Sequence, residues 1–81
     1  MKRIFDLLQE IRPEFDFTES TDYVEDGYLD SFDITTLVSE LETIYSCNID
    51  GMDILPENFA TVNAIAQLVL KSGGNVEIVQ D

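Results

Sequence analysis

The chain has 81 residues, of which 44% are hydrophobic, and its four basic and 17 acidic side chains give a formal net charge of −13. This length and composition fit one small folded domain, and the charge argues against nucleic acid and anionic membranes as partners, because their phosphates attract Lys and Arg. The sequence has no histidine and one cysteine, so it lacks the commonest general base and excludes an internal disulfide or a cysteine-rich zinc site.

Residues 1–12 are predicted to form an amphipathic helix that ends at Pro13, because the residue before a proline disfavours helical backbone angles. The apolar residues of this segment recur at helical spacing: Ile4, Phe5, Leu8 and Ile11. Polar and acidic residues interrupt the segment too early for a secretory signal, and no apolar run in the chain is long enough to cross a membrane. We therefore expect a cytoplasmic protein with no membrane insertion.

The next segment, residues 13–29, shows no helical period but is rich in aromatic side chains. A connection of this length in a small domain is uncommon and is usually an ordered functional loop or a linker. It has too many large apolar residues for a linker: Phe15, Phe17, Tyr23, Val24, Tyr28 and Leu29. We predict a loop that covers the helices and closes the core, with a tight turn at residues 25–27. A short edge strand at residues 15–17 is the less favoured alternative.

Two further helices and one short helical turn are predicted in the rest of the chain. Residues 31–47 place a stripe of apolar side chains on one helix face: Ile34, Leu37, Val38, Leu41 and Tyr45. Residues 61–72 form a similar stripe after Thr61, a predicted N-cap, and before a glycine pair that ends the helix: Val62, Ile65, Ala66 and Val69. Residues 56–60 suit one short helical turn with proline at its first position.

These elements predict an all-α fold, a small bundle of three main helices and one short helix with a long ordered first loop. The predicted domain spans residues 1–74. Residues 75–81 are predicted to be a mobile tail, because the segment has no evident partner element.

The start of the second predicted helix is the most informative position in the sequence. A serine at a helix start is ordinarily an N-cap, and this is the simplest interpretation of Ser31. Asp30 and Asp33 could equally form a variant of the capping box. Two features go beyond capping. The helical wheel places Phe32 on the outward face, and a helix N-terminus suits a phosphate attached to Ser31.

The segments GYLDSFDI, at residues 27–34, and LVSELE, at residues 37–42, resemble the phosphopantetheine attachment region of acyl carrier proteins. The resemblance covers roughly residues 3–71, including the long first loop. Two departures bear on the cargo. Fatty-acid carriers commonly have a small pair where this chain has Tyr28 and Leu29, and an acidic residue where this chain has Thr35 and Thr36. The Leu-Asp-Ser sequence resembles D-alanyl carrier proteins and freestanding peptidyl carriers as much as it resembles fatty-acid carriers.

This resemblance implies that a phosphopantetheinyl transferase moves a 4′-phosphopantetheine arm from coenzyme A onto Ser31, and that the transferase supplies the base and the magnesium. The arm's thiol would carry acyl or aminoacyl thioesters from a loading ligase to synthase or transferase enzymes, while the carrier catalyses nothing. By the family pattern, Asp30 presents the attachment point and Phe32 faces partners. Asp33 and Glu40 fall where basic partner surfaces are contacted, and acids there favour fast association. A monomer is expected.

A calcium-binding module and an arm-free acidic interaction module are the alternatives to a carrier. Residues 46–57 superficially follow an EF-hand loop, with Glu57 at the twelfth position. The first position, however, is Ser46 where an aspartate is expected, and the apolar eighth position is Asp53. The preferred interpretation of residues 48–51 is a turn that leads into the short helix.

An enzymatic role is not favoured by the nucleophiles that the sequence offers. Ser31 has no histidine or lysine nearby to act as its base. Cys47 has no basic residue close in sequence to activate it, so it is interpreted as a small buried hydrophobe. Glu42 is interpreted as a solvated surface charge.

Overall fold

Three α-helices form where the sequence repeats its apolar residues at helical spacing. The computed structural model describes residues 2–74, in which no strand occurs. The helices are α1 (Lys2–Ile11), α2 (Ser31–Tyr45) and α3 (Val62–Lys71), and two short 3-10 helices, Gly51–Asp53 and Pro56–Phe59, lie between α2 and α3. The predicted all-α bundle is thus confirmed, and the edge strand at residues 15–17 does not form. The predicted tail, residues 75–81, lies outside the described residues.

The core lies where α1 packs against both α2 and α3. Each helix contributes two side chains with no measurable exposure: Ile4, Leu8, Leu37, Leu41, Ile65 and Val69. The stripe predicted for α3 is buried throughout, and Leu68 joins it. On α1, Leu7 is buried although it was not part of the predicted stripe, while Phe5 and Ile11 pack at the edge of the core. Burial of these apolar side chains is the main term that stabilises the bundle.

The loop between α1 and α2 closes one side of this core, as predicted. The rings of Phe15 and Tyr28 are stacked with their centroids 4.5 Å apart. The ring of Phe17 meets Tyr23 edge-on at 5.0 Å, and it meets Tyr28 in the same way at 5.4 Å. The N–H of Tyr23 also donates to the carbonyl of Ala60 over 2.8 Å, which ties the loop to the residue before the α3 N-cap. The aromatic residues therefore act as core rather than as a linker.

The predicted turn within this loop is also present. The N–H of Asp26 donates to the carbonyl of Asp22 over 2.9 Å, and the N–H of Gly27 donates to the carbonyl of Val24 over 3.1 Å. Gly27 has a φ of +78°, a backbone angle that residues with a side chain rarely adopt.

The ends of α3 follow the sequence signals. The hydroxyl of Thr61 accepts a hydrogen bond of 3.0 Å from the N–H of Ala64, so Thr61 is the N-cap. Gly73 has a φ of +97°, and the N–H of Gly74 donates to the carbonyl of Val69 over 2.8 Å. This geometry is a Schellman motif, in which glycine supplies the left-handed residue that ends the helix.

The C-terminal end of α2 differs from the prediction. The helix ends at Tyr45 rather than at residue 47, with Ser46 in the left-handed region at a φ of +52°. The chain then turns back, and the N–H of Ile49 donates to the Glu42 carboxylate over 2.9 Å. The interpretation of Glu42 as a solvated charge is therefore wrong, because its side chain is part of the cap of its own helix end.

Among residues 2–74, none of the helices combines the length and the apolar character that crossing a bilayer requires.

Candidate functional site

The start of α2 is capped by Asp30, not by Ser31. The N–H of Asp33 donates to Asp30 Oδ1 over 2.9 Å, and the N–H of Asp30 donates to Asp33 Oδ2 over 3.1 Å. These two bonds form the reciprocal capping box that was the alternative interpretation of this segment. The simplest interpretation, in which Ser31 is the cap, is wrong. The N–H groups that a capping serine would bind are already used, because the Asp33 N–H donates to the Asp30 carboxylate and the Ile34 N–H donates to the Asp30 carbonyl over 3.0 Å.

Ser31 consequently occupies the first helical position with its side chain exposed. Its carbonyl accepts a hydrogen bond of 3.0 Å from the Thr35 hydroxyl, whereas its own hydroxyl makes no hydrogen bond to any of residues 2–74. The first N–H groups of a helix have no partner within the helix, and they give this end a partial positive charge. The site therefore combines a solvent-accessible hydroxyl with a helix N-terminus, whose dipole favours a negative charge and already holds the Asp30 carboxylate.

Phe32 projects from the next position and is 78% exposed. It borders an open groove of about 340 Å³ between α1 and α2. The groove is lined by apolar and acidic side chains and one threonine from the two helices: Leu7, Glu10, Ile11, Phe32, Asp33, Thr36 and Glu40. Glu40 is exposed, as its predicted role as a partner contact requires. An exposed aromatic ring beside a groove of this kind is typical of a contact surface.

Asp33, predicted as a partner contact, lines the groove but is nearly buried. Its side chain is only 8% exposed, and Asp33 Oδ2 accepts a hydrogen bond of 2.8 Å from Arg12 Nε in addition to the bond from the Asp30 N–H. The same carboxylate is therefore occupied by the capping box and by an arginine from the end of α1. We therefore assign Asp33 a scaffold role at the base of the groove.

Arg12 was not singled out from the sequence. Its guanidinium group binds Asp33, and it also reaches Asp30 Oδ2 at 3.3 Å and Glu14 Oε2 at 3.2 Å. The hydrogen bond to Asp33 is the main reason that the pKa of Arg12 is raised. The small number of basic residues could have pointed to it. A chain with four basic and 17 acidic residues offers its acids few cationic partners, so each arginine is a candidate for an ion pair.

The capping box also alters the acid that precedes the serine. The pKa of Asp30 lies below its usual value, chiefly because its carboxylate accepts the hydrogen bond from the Asp33 N–H, and the Arg12 charge acts in the same direction. Asp30 is thus held as an anion beside Ser31. Asp30 is exposed, so a partner can reach it.

Other side chains that could bind a metal ion or act as a nucleophile lie apart from this site or already have hydrogen-bond or ion-pair partners. In residues 2–74, no cluster of three or more side chains is arranged to hold a metal ion. In the region that follows the EF-hand pattern, Asp50 caps the first 3-10 helix by accepting from the Met52 N–H over 2.9 Å, and Asp53 pairs with Lys71 at 2.8 Å. Burial raises the pKa of the half-buried Cys47 thiol, which disfavours the reactive thiolate.

Comparison of the chain with protein-family models, with curated proteins and with solved structures finds no match.

Proposed function

We propose that this protein is a carrier in which Ser31 holds a 4′-phosphopantetheine arm and presents acyl or aminoacyl groups to partner enzymes. The observation that carries the proposal is the Ser31 hydroxyl, which is exposed at the start of α2 and is not used for capping. The resemblance of residues 27–34 and 37–42 to the attachment region of acyl carrier proteins supports the same assignment.

The residues around Ser31 suit the attachment of this group. The Ser31 oxygen would bond to the phosphorus of the pantetheine phosphate of coenzyme A, and the bond from that phosphorus to the bridging oxygen would break and release adenosine 3′,5′-bisphosphate. The hydroxyl proton would pass to a base on the phosphopantetheinyl transferase, because Ser31 has no histidine or lysine beside it. The attached phosphate would lie at the helix N-terminus, where the helix dipole favours negative charge. The thiol of the arm supplies the thioester chemistry.

The surface beside Ser31 would serve for recognition by partners. Phe32 offers an exposed apolar contact, and Glu10 and Glu40 add carboxylates on the two sides of the α1–α2 groove. Partners of the expected classes, a transferase, a loading ligase and downstream synthases, would meet this surface with basic residues. Charge attraction of this type speeds association and adds little to the lifetime of the complex. The expected setting is the cytoplasm, and the expected state is a monomer, since copies of charge −13 repel each other.

Intact-mass measurement tests the proposal directly. The wild-type chain, Ser31→Ala and Ser39→Ala are each incubated with a broad-specificity phosphopantetheinyl transferase, magnesium and coenzyme A. Ser39 is the matched control, because it is an exposed serine on the same helix. We expect the mass of one phosphopantetheine to be added to the wild type and to Ser39→Ala, and nothing to Ser31→Ala. A folded wild-type chain that gains no mass, or a Ser31→Ala chain that does, would contradict the proposal.

The exposed Phe32 and its groove also fit a second function, an interaction module without an arm. In that case the wild-type chain would stay unmodified. Phe32→Ala would then weaken binding of the partner, whereas Ser31→Ala would have no effect on it.

A further inference from the structure

Arg12 joins the end of α1 to the start of α2. Its N–H donates to the Leu8 carbonyl over 2.9 Å, so its backbone extends the hydrogen bonding of α1. Its side chain crosses to the next helix, where Nε donates to Asp33 Oδ2 over 2.8 Å and Nη2 lies 3.3 Å from Asp30 Oδ2. One planar side chain thus contacts the two carboxylates that form the α2 capping box.

The capping box depends on an oxygen that Arg12 already holds. Asp33 Oδ2 accepts from Arg12 Nε and also from the N–H of Asp30, the residue directly before Ser31. The position of the Asp33 carboxylate therefore fixes both the incoming loop and the first turn of the helix. Because Asp33 is nearly buried, solvent cannot readily replace the guanidinium group as its partner.

We propose that Arg12 is a positioning residue for the modification of Ser31. It would hold the Asp33 carboxylate, and through it the Asp30 backbone, so that the hydroxyl is presented in one orientation. This inference rests on the proposed carrier function. It adds to the Ser31 site a residue, Arg12, that lies 19 positions earlier in the chain and outside α2.

The geometry requires arginine rather than a positive charge alone. A guanidinium group has several N–H donors in a fixed plane, whereas an ammonium group is a single point of charge. Lysine at position 12 could pair with one carboxylate but could not bind both through separate nitrogens. Misplacement of a reacting group by a small distance lowers the rate of the chemical step more than it lowers binding.

Kinetics of transferase-catalysed modification distinguish positioning from charge. The variants are Arg12→Gln, Arg12→Lys and the control Lys71→Gln, which removes the same charge and also breaks an ion pair, the one with Asp53. Rates are measured as a function of carrier concentration, well below the melting temperature of each variant. We expect Arg12→Gln to lower kcat about tenfold with KM changed by less than about twofold. Arg12→Lys should recover less than about half of the loss, and Lys71→Gln should resemble the wild type.

Three outcomes would overturn the proposal. These are an unchanged kcat in Arg12→Gln, a rise in KM alone, or full recovery in Arg12→Lys, which would make charge sufficient. Amide hydrogen exchange at Asp30 gives a second readout that needs no transferase. It should accelerate in Arg12→Gln and not in Lys71→Gln, because the Asp30 N–H donates to the oxygen that Arg12 holds. If the wild type is not modified at all, the carrier function fails, while exchange still tests whether Arg12 orders the junction.

Discussion

The starts of α2 and α3 use the same backbone geometry with different side chains. Each helix follows an extended residue whose side chain accepts a hydrogen bond from the N–H three positions later, at 2.9 Å for Asp30 and 3.0 Å for Thr61. In α3 the capping group is the hydroxyl itself. In α2 the cap is a carboxylate, and the hydroxyl belongs to the next residue, Ser31.

The residues that follow the two caps differ as well. Val62, directly after the α3 cap, is buried in the core. After the α2 cap, Ser31 and Phe32 are exposed, and the buried residue is Asp33, a charged one held by a side chain from another helix. At the start of α3 the threonine hydroxyl is used by the cap, and the exposed polar residue is Asn63, an amide. At the start of α2 the cap leaves a hydroxyl and an aromatic ring facing solvent, which is why this end is the candidate site.

The largest difference in stability should appear when the buried acid is removed. Asp33→Ala deletes one half of the capping box and leaves Arg12 without its best partner, so we expect a loss of about 2 kcal/mol in the free energy of unfolding. Glu40→Ala is the matched control, since it removes an exposed acid from the same helix and should change stability by less than about 0.5 kcal/mol. Urea unfolding of the three chains measures both values. Equal losses in the two variants would mean that the capping box contributes nothing.

The hydroxyls of Thr61 and Ser31 should differ next in what they contribute to the free energy of unfolding. Thr61→Ala removes the α3 cap and should lower the free energy of unfolding by about 1 kcal/mol. Ser31→Ala removes a hydroxyl that makes no hydrogen bond within residues 2–74 and should change it by less than about 0.5 kcal/mol. Thermal or urea unfolding of both variants is the measurement. A Ser31→Ala loss as large as that of Thr61→Ala would show that the serine does contribute to the cap.

Most of the fold could be predicted from the sequence because its determinants are local. The apolar stripes of the three helices, the Thr61 cap and the turn at Gly27 each depend on residues only a few positions apart. The capping box also spans three positions, yet the sequence left the choice between Ser31 and Asp30 open, because both side chains are good caps. The assignment of Ser31 as an attachment point stays a prediction, since it depends on the resemblance and on a reaction.

The features that sequence reasoning missed are formed by residues brought together in space. Arg12 and Asp33 are 21 positions apart, so their contact follows from how α1 packs beside α2. The bond from the Ile49 N–H to Glu42 depends on the left-handed Ser46, a conformation that a serine rarely adopts and that no local pattern announced. Both corrections concern acidic side chains. An acidic residue is read from sequence as a solvated charge, because the hydrogen-bond donor that it meets in the fold lies elsewhere in the chain.

The smallest expected difference between the two helix starts is in their response to pH. The pKa of Asp30 is lowered in the folded chain, mainly by the hydrogen bond from the Asp33 N–H, so its ionised form favours folding. A lowered pKa adds stability that is fully present above the unfolded value of about 3.9 and is lost as the pH falls through the folded value. Asparagine caps a helix about as well as aspartate, so Asp30→Asn removes the charge while it keeps the cap.

The melting temperatures of the wild type and Asp30→Asn should therefore differ slightly at pH 6 and converge as the pH falls below about 4. The Thr61 cap does not titrate, so the difference between the wild type and Thr61→Ala should stay constant over the same range. Melting curves of the three chains from pH 6 to low pH compare the two ends in one experiment. A wild-type advantage over Asp30→Asn that persists in acid would mean that Asp30 acts through the shape of its side chain. The ionised carboxylate, and its attraction to Arg12, would then have no part in holding the start of α2.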